Sequence, residues 1–323
     1  MTTIQQKTSV FFDTNSYRQI VLNKSESEII KLFVNIRIAE RKFNIEAMST
    51  QTVSWELMAN LVEEENGINY KNCLESLRFL TNHCFDLEKM EVRVSAPPFL
   101  QISAMMFGAL PIDFDKQSKK FTNLLESFVN YENTPNISAE FYEFVKNNLT
   151  NHEQGFSDQI IDIIETAKLA MQNIYPKNDL KFHKKKLIEH FKSDSYSQNL
   201  SLKLIDIVGE QLEIKLDEEE AKKRAYFLRK QLPLSVGFFQ WILTTIIEKN
   251  IDMTSHNSKA KRWNWIWDYQ ISFLISESNI NDGRMILVTS DKEVKDILNQ
   301  YNLGDKVMDI TEYLNFLNIN GNC

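Results

Sequence analysis

Cysteine is scarce in this 323-residue chain and carries no pattern: Cys73, Cys84 and Cys323 are odd in number and show no C-x-x-C spacing. That excludes a disulfide framework and a zinc ribbon, and the thiols are expected to be reduced. No apolar run approaches the length of a membrane span. The start Thr2-Thr3-Ile4-Gln5-Gln6-Lys7 also lacks the basic and apolar regions of a secretion signal, so a cytoplasmic protein with no membrane contact is expected. Positive charge is not in excess either. A net charge of −7 excludes a protein that coats nucleic acid through bulk charge, although a local basic groove is compatible with it.

What remains is ordinary for a globular protein with a substantial core, at 43% hydrophobic and 25% charged residues, and one large or two smaller domains are expected. The basic residues come in clusters: Lys184-Lys185-Lys186, Lys222-Lys223-Arg224 with Arg229-Lys230, and Lys259 to Arg262. On helices, each reads first as a solvated face.

Two junctions organise the chain. Val10-Phe11-Phe12 is a β-favouring run that meets Asp13-Thr14-Asn15, and Met285-Ile286-Leu287-Val288 meets Thr289-Ser290-Asp291 near the other end. Each reads as a buried strand delivering a carboxylate at its carboxyl end, where open α/β sheets bind ligands. The alternative for Asp13 is an N-cap of the following helix.

Between the junctions, Ser25-Glu26-Ser27-Glu28 has the form of a capping box before the apolar period Ile29, Leu32, Phe33 and Ile36. Thr50 to Val53 leans towards strand, and Ser54 is expected to cap a helix carrying Trp55, Leu57, Met58 and Leu61, with Glu56 in its first turn. The helix dipole alone favours an acid there. Pro97-Pro98 marks a boundary. From about Phe99 to about Asn250 prolines and glycines are few and apolar residues recur at helical spacing, without a repeat or low-complexity tract; this stretch reads as helix after helix. His183 and His190 lack the i, i+4 spacing of a helical metal pair and read as surface histidines. Phe238-Phe239-Gln240-Trp241 reads as a core helix.

Lys259-Ala260-Lys261-Arg262-Trp263-Asn264-Trp265-Ile266-Trp267 interleaves basic and aromatic residues, a composition suited to phosphate contacts and base stacking or simply to packing. Packing is expected for Trp267. Asp268 then heads the apolar run Ile271, Phe273, Leu274 and Ile275. Lys306 to Ile310 reads as a last short strand.

Phe12-Asp13-Thr14-Asn15, Trp55-Glu56-Leu57, Trp267-Asp268-Tyr269-Gln270-Ile271 and Leu287-Val288-Thr289-Ser290-Asp291 together resemble the ordered acidic motifs of the PIN-domain nucleases. The resemblance covers roughly residues 5–95 and 255–320. It implies an α/β fold, a three-layer α/β/α sandwich with a central parallel sheet, here interrupted by a large α-helical insertion. The domain boundaries it suggests are a first core part at 1–95, the insertion at 96–254 and a second core part at 255–323. It further implies an endoribonuclease of toxin or phage-defence type using Mg²⁺ or Mn²⁺, with Asp13, Glu56, Asp268 and Asp291 as catalytic and metal-holding acids. RNA is then the expected partner and DNA the alternative. A cognate inhibitor or defence-system partner and an oligomer stay open.

Asn15, Thr289, Ser290 and Glu293 lie one or two residues from these acids and are expected to orient them. Lys259, Lys261, Arg262 and Trp263 are expected to grip nucleic acid. The chain departs from the family in its long insertion and in Lys292-Glu293, where many members place a further aspartate. The chemistry is coherent on its own terms: hard divalent cations take oxygen ligands, and four acids could activate water and neutralise a phosphodiester. None of the four motifs contains a histidine. A haloacid-dehalogenase-like phosphatase is disfavoured by Asn15, where that family normally has a second Asp. A flap-endonuclease-like DNA nuclease and an inactive scaffold that binds a protein are the other readings.

Overall fold

The computed structural model describes residues 7–59, 61, 68–112, 114–129, 139–255, 259–275 and 284–319. They form a mixed α/β protein, mostly helical, with a central parallel sheet of four strands. The chain divides into two compact units. The first comprises 1–97, 111–149 and 278–323, and the second 98–110 and 150–277.

In the first unit, β1 (Thr8–Phe12) is built from β-branched and aromatic residues and is almost wholly buried, as a strand covered on both faces must be. Asp13 ends it and caps α1 (Thr14–Val21). Ser25 and Glu28 close the expected capping box on α2 (Glu26–Lys42). The chain continues through β2 (Ile45–Ala47) and β3 (Ser49–Thr50).

Helix α3 (Gln51–Ala59) starts earlier than the sequence suggested. Thr50 acts at its head, accepting the Val53 N–H on Oγ1 at 3.0 Å, while Ser54 lies inside the helix and donates its hydroxyl to the Thr50 carbonyl at 3.0 Å. Both hydroxyls have capping chemistry, and the one followed by helix-compatible backbone took the role. Glu56 therefore sits in the second turn rather than the first.

After α4 (Ile68–Cys84) come the antiparallel pair β4 (Phe85–Asp86) and β5 (Glu91–Val92), and β6 (Val94–Ser95), which pairs with β3. The remaining strands are β7 (Arg284–Val288) and β8 (Val307–Met308), with α13 (Lys292–Gln300) and α14 (Ile310–Phe316). The sheet order is β2-β1-β7-β8, all parallel, with Thr8 opposite Ile45 and Phe12 opposite Val288. The last strand is shorter than the sequence suggested because Asp309 leaves it to cap α14.

Behind the sheet a buried polar network ties three helices together. Glu40 on α2 accepts from His83 Nε2 of α4 at 2.8 Å and from the Tyr313 hydroxyl of α14 at 2.7 Å, on the same Oε1. Phe12 packs its ring against Tyr17, His83 and Tyr313. Burial pushes the Cys84 thiol up to about 12, so it is an inert core thiol.

The second unit is helical. It contains α5 (Pro98–Ile102), most of α7 (Ala139–Ile174), α8 (Leu180–Phe191), α9 (Asp194–Gln211), α10 (Glu218–Gln231), α11 (Pro233–Glu248) and α12 (Lys259–Ser272). Helix α6 (Phe114–Glu126) belongs to the first unit. Ile102, Met106, Ile205, Val208, Leu228 and Phe273 form part of one buried cluster. Helix α11 is apolar nearly all round and is buried along its length, with Pro233 at its first turn. Phe238 and Phe239 lie in that core as expected. His183 does not lie on the surface: it is buried, with Nε2 donating to the Tyr175 carbonyl at 2.9 Å, whereas His190 is exposed. Its neighbours Leu187 and Phe191 on α8 face the same core and carry it inward.

Candidate functional site

Because β1 and β7 are parallel neighbours, Asp13 and Asp291 both follow strands at the same end of the sheet. The pairing continues one step past β1, where the Asp13 N–H donates to the Val288 carbonyl at 3.0 Å. The Ser16 hydroxyl donates to that carbonyl as well, at 3.0 Å.

Thr289 joins the two acids. Its hydroxyl donates to Asp13 Oδ2 at 2.6 Å and accepts the Asp291 N–H at 3.0 Å, while its own N–H is held by the Met308 carbonyl at 2.8 Å. Asp13 Oδ1 accepts the Ser16 N–H at 2.6 Å, and Asp291 Oδ1 accepts the Val294 N–H at 3.0 Å. Both acids are therefore helix N-caps, Asp13 of α1 and Asp291 of α13. Capping uses one oxygen of each and one lone pair of that oxygen, so both carboxylates keep acceptor capacity.

Asp13 is 8% exposed. Burial raises its pKa, the hydrogen bonds from Ser16 and Thr289 oppose that, and the charge of Asp291 raises it further. None of these principal influences is a basic group. A buried carboxylate beside another acid is a position that a cation would stabilise.

Glu56, half-buried on α3, accepts the Thr14 hydroxyl, and Thr14 directly follows Asp13. Within the first unit, Asp13 and Asp291 are thus linked through Thr289, and Glu56 is linked to the head of α1 through Thr14. Asp268 is half-buried on α12, in the second unit. Asn15 is exposed in the first turn of α1, and Glu293 is half-buried in the first turn of α13. The Ser290 hydroxyl donates to Gln19 Oε1 at 3.1 Å, tying the β7 loop to α1 rather than to an acid.

Lys259, Lys261, Arg262 and Trp263 belong to the first turns of α12, and their side chains lie outside the described residues. The neighbouring tryptophans are core residues. Trp265 is buried against Trp241, and Trp267 donates from Nε1 to Glu153 at 3.1 Å.

The donors present around α1 suit a hard divalent ion in type, being carboxylate and hydroxyl oxygens. Among the described residues no three His, Cys, Asp or Glu side chains are already arranged as a ligand set. Thr14 and Ser16 were not singled out from the sequence. Ser16 could have been, because the third helical position after an Asp N-cap presents the amide that the cap receives. Comparison of the chain with protein-family models, curated proteins and solved structures gave no match.

Proposed function

We propose that the chain is a PIN-like α/β/α module interrupted by a helical insertion, and that the protein is a Mg²⁺- or Mn²⁺-dependent endoribonuclease. The observation that carries this reading is the pair Asp13 and Asp291, linked by Thr289 at the carboxyl ends of adjacent parallel strands, with Asp13 buried and without a basic group among its principal influences. Asp13, Asp291 and Glu56 are the residues assigned to hold the ion; the resemblance names Asp268 as a fourth acid, an assignment that its own substitution tests. A bound divalent ion supplies an activated water and neutralises charge on the phosphodiester.

The chain's own residues prepare that site. Thr289 fixes the rotamer of Asp13 and the backbone of Asp291, and Thr14 holds Glu56. Lys259, Lys261, Arg262 and Trp263 are assigned to the RNA backbone, since an acidic chain needs a local positive wall to hold phosphates. No described helix is long and apolar enough to cross a membrane, and a cytoplasmic setting with a toxin or phage-defence role belongs to the same proposal.

The test is cleavage of mixed RNAs and DNAs by the purified full chain in Mn²⁺, in Mg²⁺ and in EDTA, with Asp13→Asn, Glu56→Gln, Asp268→Asn and Asp291→Asn in parallel. Metal-dependent RNA cleavage that Asp13→Asn and Asp291→Asn abolish is the expected result. Cleavage of DNA alone would move the reading to a flap-endonuclease-like enzyme. Activity that survives both EDTA and Asp13→Asn would overturn it.

A second reading, an inactive scaffold that binds a protein partner, is favoured by one specific observation: Asp13 and Asp291 each have a sufficient structural role as a cap. Under it, no cleavage appears with either metal, and Mn²⁺ leaves the thermal midpoint unchanged.

A further inference from the structure

Beside the edge strand β2, the first unit contains a cavity of about 500 Å³, walled by the end of α2, β2 and the β4–β5 turn. Its lining includes Asn44 and Ile45, at the amino-terminal start of β2, whereas Asp13 and Asp291 follow the carboxyl ends of β1 and β7. We propose that this cavity binds a small phosphorylated ligand of nucleotide size, with Arg41 and Arg93 gripping its phosphate.

Three guanidiniums line the cavity: Arg37, Arg41 and Arg93. Arg37 is fixed in place, donating from Nη1 to the Asn82 carbonyl at 2.9 Å and from Nη2 to the Phe85 carbonyl at 2.7 Å. Arg93 donates from Nε to Asp86 at 3.1 Å, and its two terminal nitrogens make no hydrogen bond among the described residues. Arg41 is exposed, and its side chain makes neither a hydrogen bond nor an ion pair among them. Burial lowers the pKa of Arg37, and the charges of Arg41 and Arg93 lower it further. Glu40 opposes them, so Arg37 reports that all three guanidiniums and the Glu40 carboxylate lie within electrostatic reach of one another.

The carboxylates of the same lining are mostly engaged. Glu40 takes His83 and Tyr313, and Glu46 pairs with Lys7 at 2.9 Å and with Arg93 Nε at 3.8 Å. Asp86 takes Arg93 and the N–H groups of Glu88 and Lys89. Glu88 is exposed. The donor capacity left over is the Arg41 guanidinium and the terminal nitrogens of Arg93, planar forks that suit phosphate oxygens. The volume falls within the roughly 300–1,000 Å³ usual for small-molecule sites.

The test is isothermal titration of the full chain with AMP and, separately, with inorganic phosphate. EDTA is present throughout, so that no divalent ion near Asp13 contributes. Binding by the wild type, weakened about tenfold or more in Arg41→Gln and unchanged in Asp13→Asn, is the expected result. AMP binding tighter than phosphate would mean that the base is held too, and equal binding that phosphate alone is recognised. Because Arg41 is exposed and its side chain makes no hydrogen bond or ion pair among the described residues, Arg41→Gln is expected to melt as the wild type does. Absence of binding of both probes at millimolar concentration, or equal affinity in Arg41→Gln, overturns the proposal. Neither outcome bears on metal-dependent cleavage.

Discussion

A single hydroxyl couples two motifs 276 positions apart, because Thr289 donates to the Asp13 carboxylate and accepts from the backbone of Asp291. The sequence placed Thr289 beside an acid but could not say which acid it served, since that depends on the pairing of β1 with β7. Both alternatives open for Asp13, strand-end carboxylate and helix cap, are realised at once; the two roles use different lone pairs and do not compete. If the coupling matters for chemistry, Thr289→Val should lower the cleavage rate by roughly 10–100-fold. Thr289→Ser should restore most of it, because Ser keeps the hydroxyl. The thermal midpoint should change little in Ser and fall modestly in Val, where a buried carboxylate oxygen loses its donor. A Val enzyme with the wild-type rate would show that Thr289 only packs.

At the scale of elements, β1 and β7 were legible because apolar runs ending in an acid leave little else to be, and α2 because its capping box is local chemistry. The start of α3 was not, since Thr50 and Ser54 have equivalent hydroxyls and only the backbone path after β3 selects between them. The terminal helix α14 shows how such local and distant contacts combine. Asp309 accepts the Glu312 N–H at 2.8 Å to cap it, Lys295 pairs with Glu312 at 3.0 Å, and Tyr313 reaches Glu40 at 2.7 Å.

The Glu312 N–H is the main cause holding the Asp309 carboxyl below its usual value of 3.8, with Lys295 assisting. A depressed pKa contributes stability above the unfolded value and loses it as pH falls through the folded one. Asp309→Ala should therefore lower stability by about 1 kcal/mol at neutral pH, and in thermal melts the gap to wild type should narrow below pH 3.8. A gap independent of pH would assign the loss to packing. Tyr313→Phe removes one of the two donors to buried Glu40 and should cost roughly 1–3 kcal/mol in denaturant unfolding. A loss under a few tenths would mean that His83 alone satisfies that carboxylate.

For the whole molecule, helical periodicity announced a run of helices between residues 99 and 250 but not which core each helix joins. An amphipathic stripe specifies that a face is buried, not what buries it. Residues 111–149 belong with the sheet-bearing unit and 255–277 with the helical one, and the chain first passes between the units at Pro97-Pro98. Each unit has its own core, and the consequence is testable through Leu228, which is fully buried in the cluster with Ile205, Val208 and Phe273. Leu228→Ala should remove about 2–5 kcal/mol from that core. If the two cores are separate cooperative units, hydrogen exchange should speed up across 98–110 and 150–277 while the amides of β1 and β7 keep their protection. Tyr313→Phe should give the reverse pattern, since its network lies wholly within the first unit. Equal loss of protection in β1 and in α9 after Leu228→Ala would mean that the molecule unfolds as one body. The candidate site at Asp13 would then be exposed to every destabilising change in the helical part.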